Sequence, residues 1–151
     1  MITGIFKDYV LGLAPSIAGV NYCQVSDGMA INQFQADARN ETVYPGIFFV
    51  RPGYKLSDNN MQFAAANFQV VAYVLMKPDD PDDPDSMDQA LDETERITID
   101  LQKKLLTTYE HSIGLFSLND WESSPVTEVT MDRAVGYEVR FRLGLEIEQL
   151  Y

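Results

Sequence analysis

Strict alternation of apolar and polar side chains near the C-terminus constrains the fold of this chain more than any other feature. Over residues 137–148 the odd positions carry Tyr, Val, Phe, Leu, Leu and Ile, and the even positions carry Glu, Arg, Arg, Gly, Glu and Glu. Successive side chains of a β-strand point to opposite faces, so this pattern predicts a long strand with one buried and one solvated face. Such a strand requires neighbouring strands and a layer that covers its apolar face.

Two apolar runs predict the middle of the sheet. Residues 47–50 lie between proline and glycine breakers, which is typical of a strand buried on both faces. Residues 68–76 are rich in β-branched and aromatic side chains and predict the central strand. Further strands are predicted at 20–25, 113–118 and 126–131, and residues 119–125 are predicted to connect the last two.

Helical spacing of apolar residues predicts the layer that covers the sheet. The longest predicted helix spans 86–109, with a cap at Asp85 or Ser86; shorter helices are predicted at 3–14 and 29–39. The expected fold is therefore α/β (α+β): a mostly antiparallel sheet of four to five strands, covered by one long helix plus shorter N-terminal helices. One domain spanning residues 1–151 is predicted.

Composition excludes several classes of function. A net charge of −12 argues against a basic nucleic-acid-binding surface and against an anionic membrane surface. No apolar run approaches the roughly 18 residues of a transmembrane helix, and residues 1–8 lack the pattern of a signal peptide, so a soluble protein made in the cytoplasm is expected. One cysteine and one histidine exclude an internal disulfide, a cysteine-based zinc site and a multi-histidine metal site, and no cofactor is predicted.

Cys23 and His111 are the residues that a catalytic interpretation would use, as nucleophile and base. Neither residue lies in a protease-like signature, and glycine-rich phosphate-binding motifs are absent from the sequence. We therefore predict that the chain is not an enzyme and that Cys23 is a small buried hydrophobic side chain. A small soluble enzyme using this pair remains the alternative from a different class.

The segment 78–85 combines three prolines with five aspartates and predicts a solvated loop without helix. Its acidic residues are Asp79, Asp80, Asp82, Asp83 and Asp85. A calcium loop requires ligands at fixed positions and a glycine at the sharp turn, and this segment has no glycine. We expect the aspartates to form an exposed acidic face. If this face lined the lumen of a ring, DNA could pass without binding, because affinity for DNA depends on cations.

Residues 53–66 form a long predicted connection, and connections longer than about 12 residues are uncommon inside a compact domain. The residues of interest in it are Tyr54, Lys55, Leu56, Met61 and Phe63. Two interpretations remain open. The connection folds back on its own core, or it forms a contact with another subunit that buries these side chains.

The order of elements resembles that of the tail terminator, or tail-completion, proteins of tailed bacteriophages. The similarity rests on a leading helix, the proline-opened strand Tyr-Pro-Gly-Ile-Phe-Phe-Val at 44–50, a long-looped hairpin to 68–77, the helix 86–109 and a final strand pair ending in Gly-Tyr-Glu-Val-Arg-Phe at 136–141. The resemblance implies a structural virion protein without a cofactor. It would form a ring, expected to be a hexamer, that ends tail assembly and joins the tail to the neck or head.

The resemblance also implies the partners and the contact residues. They are further copies of the chain, the tail tube protein and a neck or head-completion protein, with DNA passing through the lumen without specific binding and with no membrane partner. Inter-subunit contact is expected at Tyr54, Lys55, Leu56, Met61 and Phe63. The location would be the virion tail or neck, and the host cytoplasm during assembly. Another neck or tail structural protein shares much of this layout, and a monomeric adaptor that binds a peptide along a sheet edge is a further alternative.

Overall fold

A computed structural model describes residues 2–26, 43–58, 64–111, 116–127 and 133–147 of the chain. Its elements, in chain order, are helix α1 (Ile2–Leu13), a 3₁₀ turn (Ala14–Ser16), strands β1 (Tyr22–Ser26), β2 (Gly46–Val50), β3 (Gly53–Asp58) and β4 (Ala64–Met76), helix α2 (Pro84–His111), and strands β5 (Phe116–Val126) and β6 (Val135–Ile147). The predicted helix 29–39 lies outside the described residues. No described helix has the length and apolarity needed to cross a membrane.

The strands form one sheet in the order β1-β2-β4-β6-β5, with β3 paired to β4. Among the described strands, β1 and β2 run parallel and the other pairs are antiparallel. The α+β class, the mostly antiparallel sheet and the central position of residues 68–76 are thereby confirmed. The described sheet has six strands, and the predicted four to five is too low.

The additional strand comes from the segment predicted as a connection. Residues 53–58 form β3, and 64–66 already belong to β4, so the prediction of a long connection over 53–66 is wrong. The period-two pattern of Tyr54, Lys55 and Leu56 is too short to stand out among the polar residues that follow it.

Strand β5 corrects a second prediction. Residues 116–126 form one strand, so the predicted connection at 119–125 is wrong. Residues 113–115 and 128–131 of the two predicted strands lie outside the described residues. Ser117 stands opposite Arg142 and Glu122 opposite Arg140, so 118–121 on β5 bulge against a single residue of β6. A bulge lets a run rich in turn-forming residues remain in a strand.

Helix α2 begins earlier than predicted. The N–H of Asp85 donates to Oδ1 of Asp83 at 3.2 Å, so Asp83 is the cap and Pro84 is the first helical residue. Proline suits that position because the N–H it lacks would have no partner within the helix. The expectation that 78–85 is loop throughout is therefore wrong for its last two residues.

The main core lies between the sheet and the two helices. Val139, Phe141 and Leu143 of β6 are buried on this face, which confirms the alternation predicted from the sequence. The residues that α1 and α2 contribute are Phe6, Val10, Leu13, Ile97, Leu101 and Leu105. A smaller cluster around Phe48 and Leu75 lies on the opposite face. The face covered by α1 and α2 is called the helix face below.

Candidate interaction surface at the sheet edges

Strand β3 lies at an open edge of the sheet. It pairs with residues 64–69 of β4, on the same side of β4 as β2, because β6 occupies the other side of β4 along residues 64–76. No described strand pairs with the outer side of β3. An open edge presents unpaired backbone N–H and C=O groups that another strand can use.

Two large apolar side chains stand exposed on this edge strand. Tyr54 is 45% exposed and Leu56 is 53% exposed. They share one face of β3, opposite Phe68 and Ala66 of β4, which are buried in the main core. The ring of Tyr54 lies 5.8 Å from that of Phe68, centroid to centroid. Tyr54 and Leu56 therefore extend the apolar helix face outward to the unpaired edge.

Lys55 points to the opposite face of the sheet. It stands opposite Asn67, is exposed, and has no ion pair with any residue that the structure describes. Of the five residues predicted at a subunit contact, the structure thus brings Tyr54, Lys55 and Leu56 together on one edge strand. Met61 and Phe63 lie outside the described residues.

The other end of the sheet is β5, whose outer side is also unpaired within the described part of the chain. Trp121 is half-buried and stacks on Phe141 at 4.7 Å, so it lies on the helix face. Its Nε1 donates to Oγ of Ser123 at 2.9 Å. The sequence pattern does not predict this edge, because 119–125 resembles a connection. The one signal in the sequence is the single tryptophan, which lies between the acids Asp120 and Glu122.

Asp120 and Glu122 make the solvated face of β5 negative. Both are exposed; Asp120 lies 3.5 Å from Nε of Arg142, and Glu122 stands opposite Arg140. Nε of Arg140 also donates to Glu138 at 2.6 Å. That hydrogen bond is the main reason that the pKa of Arg140 is raised. On the β6 side, the acids of β5 thus lie next to Arg140 and Arg142. On their outer side, no described strand lies beside them.

The predicted acidic face remains at the surface. The five aspartates Asp79, Asp80, Asp82, Asp83 and Asp85 are all exposed. Several carboxylates have local roles: Oδ1 of Asp80 accepts from the N–H of Asp82 at 3.0 Å, and Oδ1 of Asp82 accepts from Arg133 at 3.0 Å. No group of three or more His, Cys, Asp or Glu side chains among the described residues is arranged to hold a metal ion.

Cys23 lies half-buried on β1 and packs against the main core. Burial raises the pKa of its thiol to about 11, although a hydrogen bond from the backbone of Ile47 acts in the opposite direction. The thiol is therefore protonated near pH 7, whereas the nucleophile is the thiolate. His111 is the last residue of α2, and its side chain is outside the described part. The enzyme that would use Cys23 and His111 stays the alternative to the prediction that the chain is not an enzyme, and the described residues test neither.

The class of this protein follows from its architecture. In its described part it has a mixed α+β fold in which one sheet is covered by helices α1 and α2. The outer sides of β1, β3 and β5 are unpaired there; the β3 edge is apolar and cationic, and the β5 edge is acidic and carries Trp121. No protein-family model matches the chain, and no curated protein sequence matches it significantly.

Proposed function

We propose that this chain is a ring-forming structural protein of a tailed bacteriophage, a tail terminator that caps the tail tube and joins it to the neck or head. The proposal is supported by the resemblance of the order of elements to that family. The observation that carries it is the exposed pair Tyr54 and Leu56 on the unpaired edge of β3.

The energetics of this edge favour association. Each of the two side chains is about half exposed, and burying the remainder contributes roughly 1–1.5 kcal/mol per side chain. A single contact therefore gains about 2–3 kcal/mol from these two residues, before the cost of association. In a closed ring every subunit makes this contact twice, once with each edge.

The charge of the chain fits the passage of DNA better than its binding. The net charge is −12, and the aspartates at 79–85 are exposed. Protein–DNA affinity comes chiefly from cations that displace counterions from phosphate. The ring would therefore contact the tail tube and the neck protein through its subunits while DNA passes through without specific binding.

The first experiment measures assembly. Native mass spectrometry and light scattering of the full chain should show a closed ring, expected to be a hexamer. A Tyr54→Thr/Leu56→Thr double variant keeps strand-forming residues and should be a folded monomer. The matched control is Ile99→Gln/Leu106→Gln on α2, which removes two side chains of similar exposure, 44% and 41%, and should assemble normally.

The second experiment addresses location. Gold-labelled antibodies against the chain, applied to tailed particles that carry its gene, should mark the head-proximal end of the tail. A monomer at all concentrations would contradict ring formation and favour the peptide-binding adaptor. Rings that form while virions remain unlabelled would contradict the phage assignment alone.

A further inference from the structure

We infer that β3 of one copy pairs antiparallel with β5 of the next copy, with Lys55 opposite Glu122, so that the sheet continues from subunit to subunit. This inference rests on the self-association proposed above and identifies the two surfaces that meet. Both surfaces lie in the described part of the chain: β5 ends the sheet on one side, and β3 is an edge strand on the other side of β4, which is also the side of β2 and β1.

Strand direction is the first argument. β3 is antiparallel to β4, β4 to β6 and β6 to β5, so β3 and β5 of one subunit run in opposite directions. Lys55 is level with Gly144 of β6 and Glu122 with Arg140, so pairing them offsets neighbouring copies by four residues along the strands. The repeat axis is therefore inclined to the strands, and each strand still keeps its general direction from copy to copy. β3 then meets the neighbouring β5 in antiparallel orientation, and the part of β5 from Glu122 onward, which follows the bulge, can form a ladder with it.

The match of side chains is the second argument. Lys55 opposite Glu122 fixes the register, which places Leu56 opposite Trp121 and Tyr54 opposite Ser123. Leu56, Tyr54 and Trp121 all lie on the helix face of their strands, whereas Lys55 and Glu122 lie on the other face. In this register Leu56 meets Trp121 on one face, and the cation of Lys55 meets the acid of Glu122 on the other. A shift by one residue would place both sets on the wrong faces.

The management of sheet edges is the third argument. Open edges of this kind invite uncontrolled pairing, and full closure of a sheet removes them. The contact joins two different surfaces, so it is heterologous, and it either closes into a ring or continues into a filament. Pairing of β3 with β5 covers the apolar edge and the acidic edge in the same step; the outer side of β1 stays unpaired within the described strands.

Cysteine cross-linking tests the register directly. In a Cys23→Ser background, Lys55→Cys and Glu122→Cys are introduced singly and together, and the full-length proteins are mildly oxidised. The double variant should give a ladder of disulfide-linked oligomers on a non-reducing gel, and each single variant should run as a monomer. Within one subunit these positions lie three strand spacings apart and four residues apart along the strands, about 20 Å in all. That is too far for an intramolecular disulfide, which needs Cα atoms within about 7 Å.

Charge reversal provides the matched measurement. Lys55→Glu should raise the concentration needed for assembly about tenfold, and Lys55→Glu/Glu122→Lys should restore it. Dimers from the single Lys55→Cys variant would show β3 paired with β3 and overturn the inference. Rings that form without cross-linking in the double variant would overturn it and leave the proposed ring standing. A wild-type chain that is monomeric at every concentration would overturn both.

Discussion

Replacing Phe141 with Ala tests whether the helix face of β6 is the centre of the fold. Phe141 is 3% exposed and stacks on Trp121 with the ring centroids 4.7 Å apart and an interplanar angle of 19°. Truncating a buried phenylalanine costs roughly 3–5 kcal/mol through lost transfer energy and the cavity that remains. Loss of the aromatic pair accounts for about 0.5–1.5 kcal/mol of that cost. With a urea m-value of about 2 kcal/mol/M, the unfolding midpoint should fall by about 2 M.

The assay uses Trp121, whose fluorescence reports on this contact because it is the only tryptophan. Urea unfolding is followed at two protein concentrations, since association would make the midpoint depend on concentration. Phe141→Leu keeps most of the side-chain volume, so its free energy of unfolding should fall by less than about 1.5 kcal/mol. If the alanine variant does not fold, the leucine variant still measures the destabilisation at this position. A loss below about 1 kcal/mol for Phe141→Ala would refute the assignment of this residue to the core.

Two further predictions concern backbone packing and pH. Gly136→Ala should prevent stable folding, because the added Cβ would lie 1.8 Å from the carbonyl oxygen of Val74. The control is Gly4→Ala, because a Cβ at Gly4 has nothing within 4 Å. Its free energy of unfolding, measured by thermal denaturation, should rise by about 0.5–1 kcal/mol. For Cys23, burial raises the pKa from 9.0 to about 11 in the folded state, so its stabilising effect is fully present below pH 9 and is lost as pH rises through about 11. Urea midpoints of the wild type should therefore fall more steeply than those of Cys23→Ser between pH 8 and 11; parallel curves would contradict the assignment.

The long elements were predictable because their patterns persist over many residues. The alternation in β6 is sustained along the whole strand, so one or two exceptions, such as Gly144, do not obscure it. In α2 the helical spacing spans several turns, and only its start was displaced, because Asp83 caps and Pro84 occupies the first position. Local signals of this kind depend on the periodicity of one element and require no knowledge of its neighbours.

The edge strands were not predictable, because local periodicity carries no information about neighbouring strands. β3 carries only a short alternation, and β5 contains residues typical of turns, including Pro125, together with a bulge. Whether such a segment is a strand is decided by the strand beside it, a long-range pairing that no local pattern reports. Tyr54, Lys55 and Leu56 were singled out from the sequence as apolar and cationic residues on a connection. The structure places them on an edge strand.

The distribution of charge across the sheet explains why an acidic chain keeps cations on these strands. On the solvated face, the acids of β5 meet Arg140 and Arg142 of β6 on their inner side. Strand β3 lies on the other side of β4 from β6, and its Lys55 lies on the same solvated face of the sheet. Opposite charges on adjacent strands stabilise a pair, whereas like charges directly opposite destabilise it. In the proposed head-to-tail repeat, Lys55 would lie on the outer side of Glu122, and the acidic strand would then be flanked by cations on both sides. A β3–β3 pair in the register that places Lys55 opposite its own copy would instead oppose two like charges.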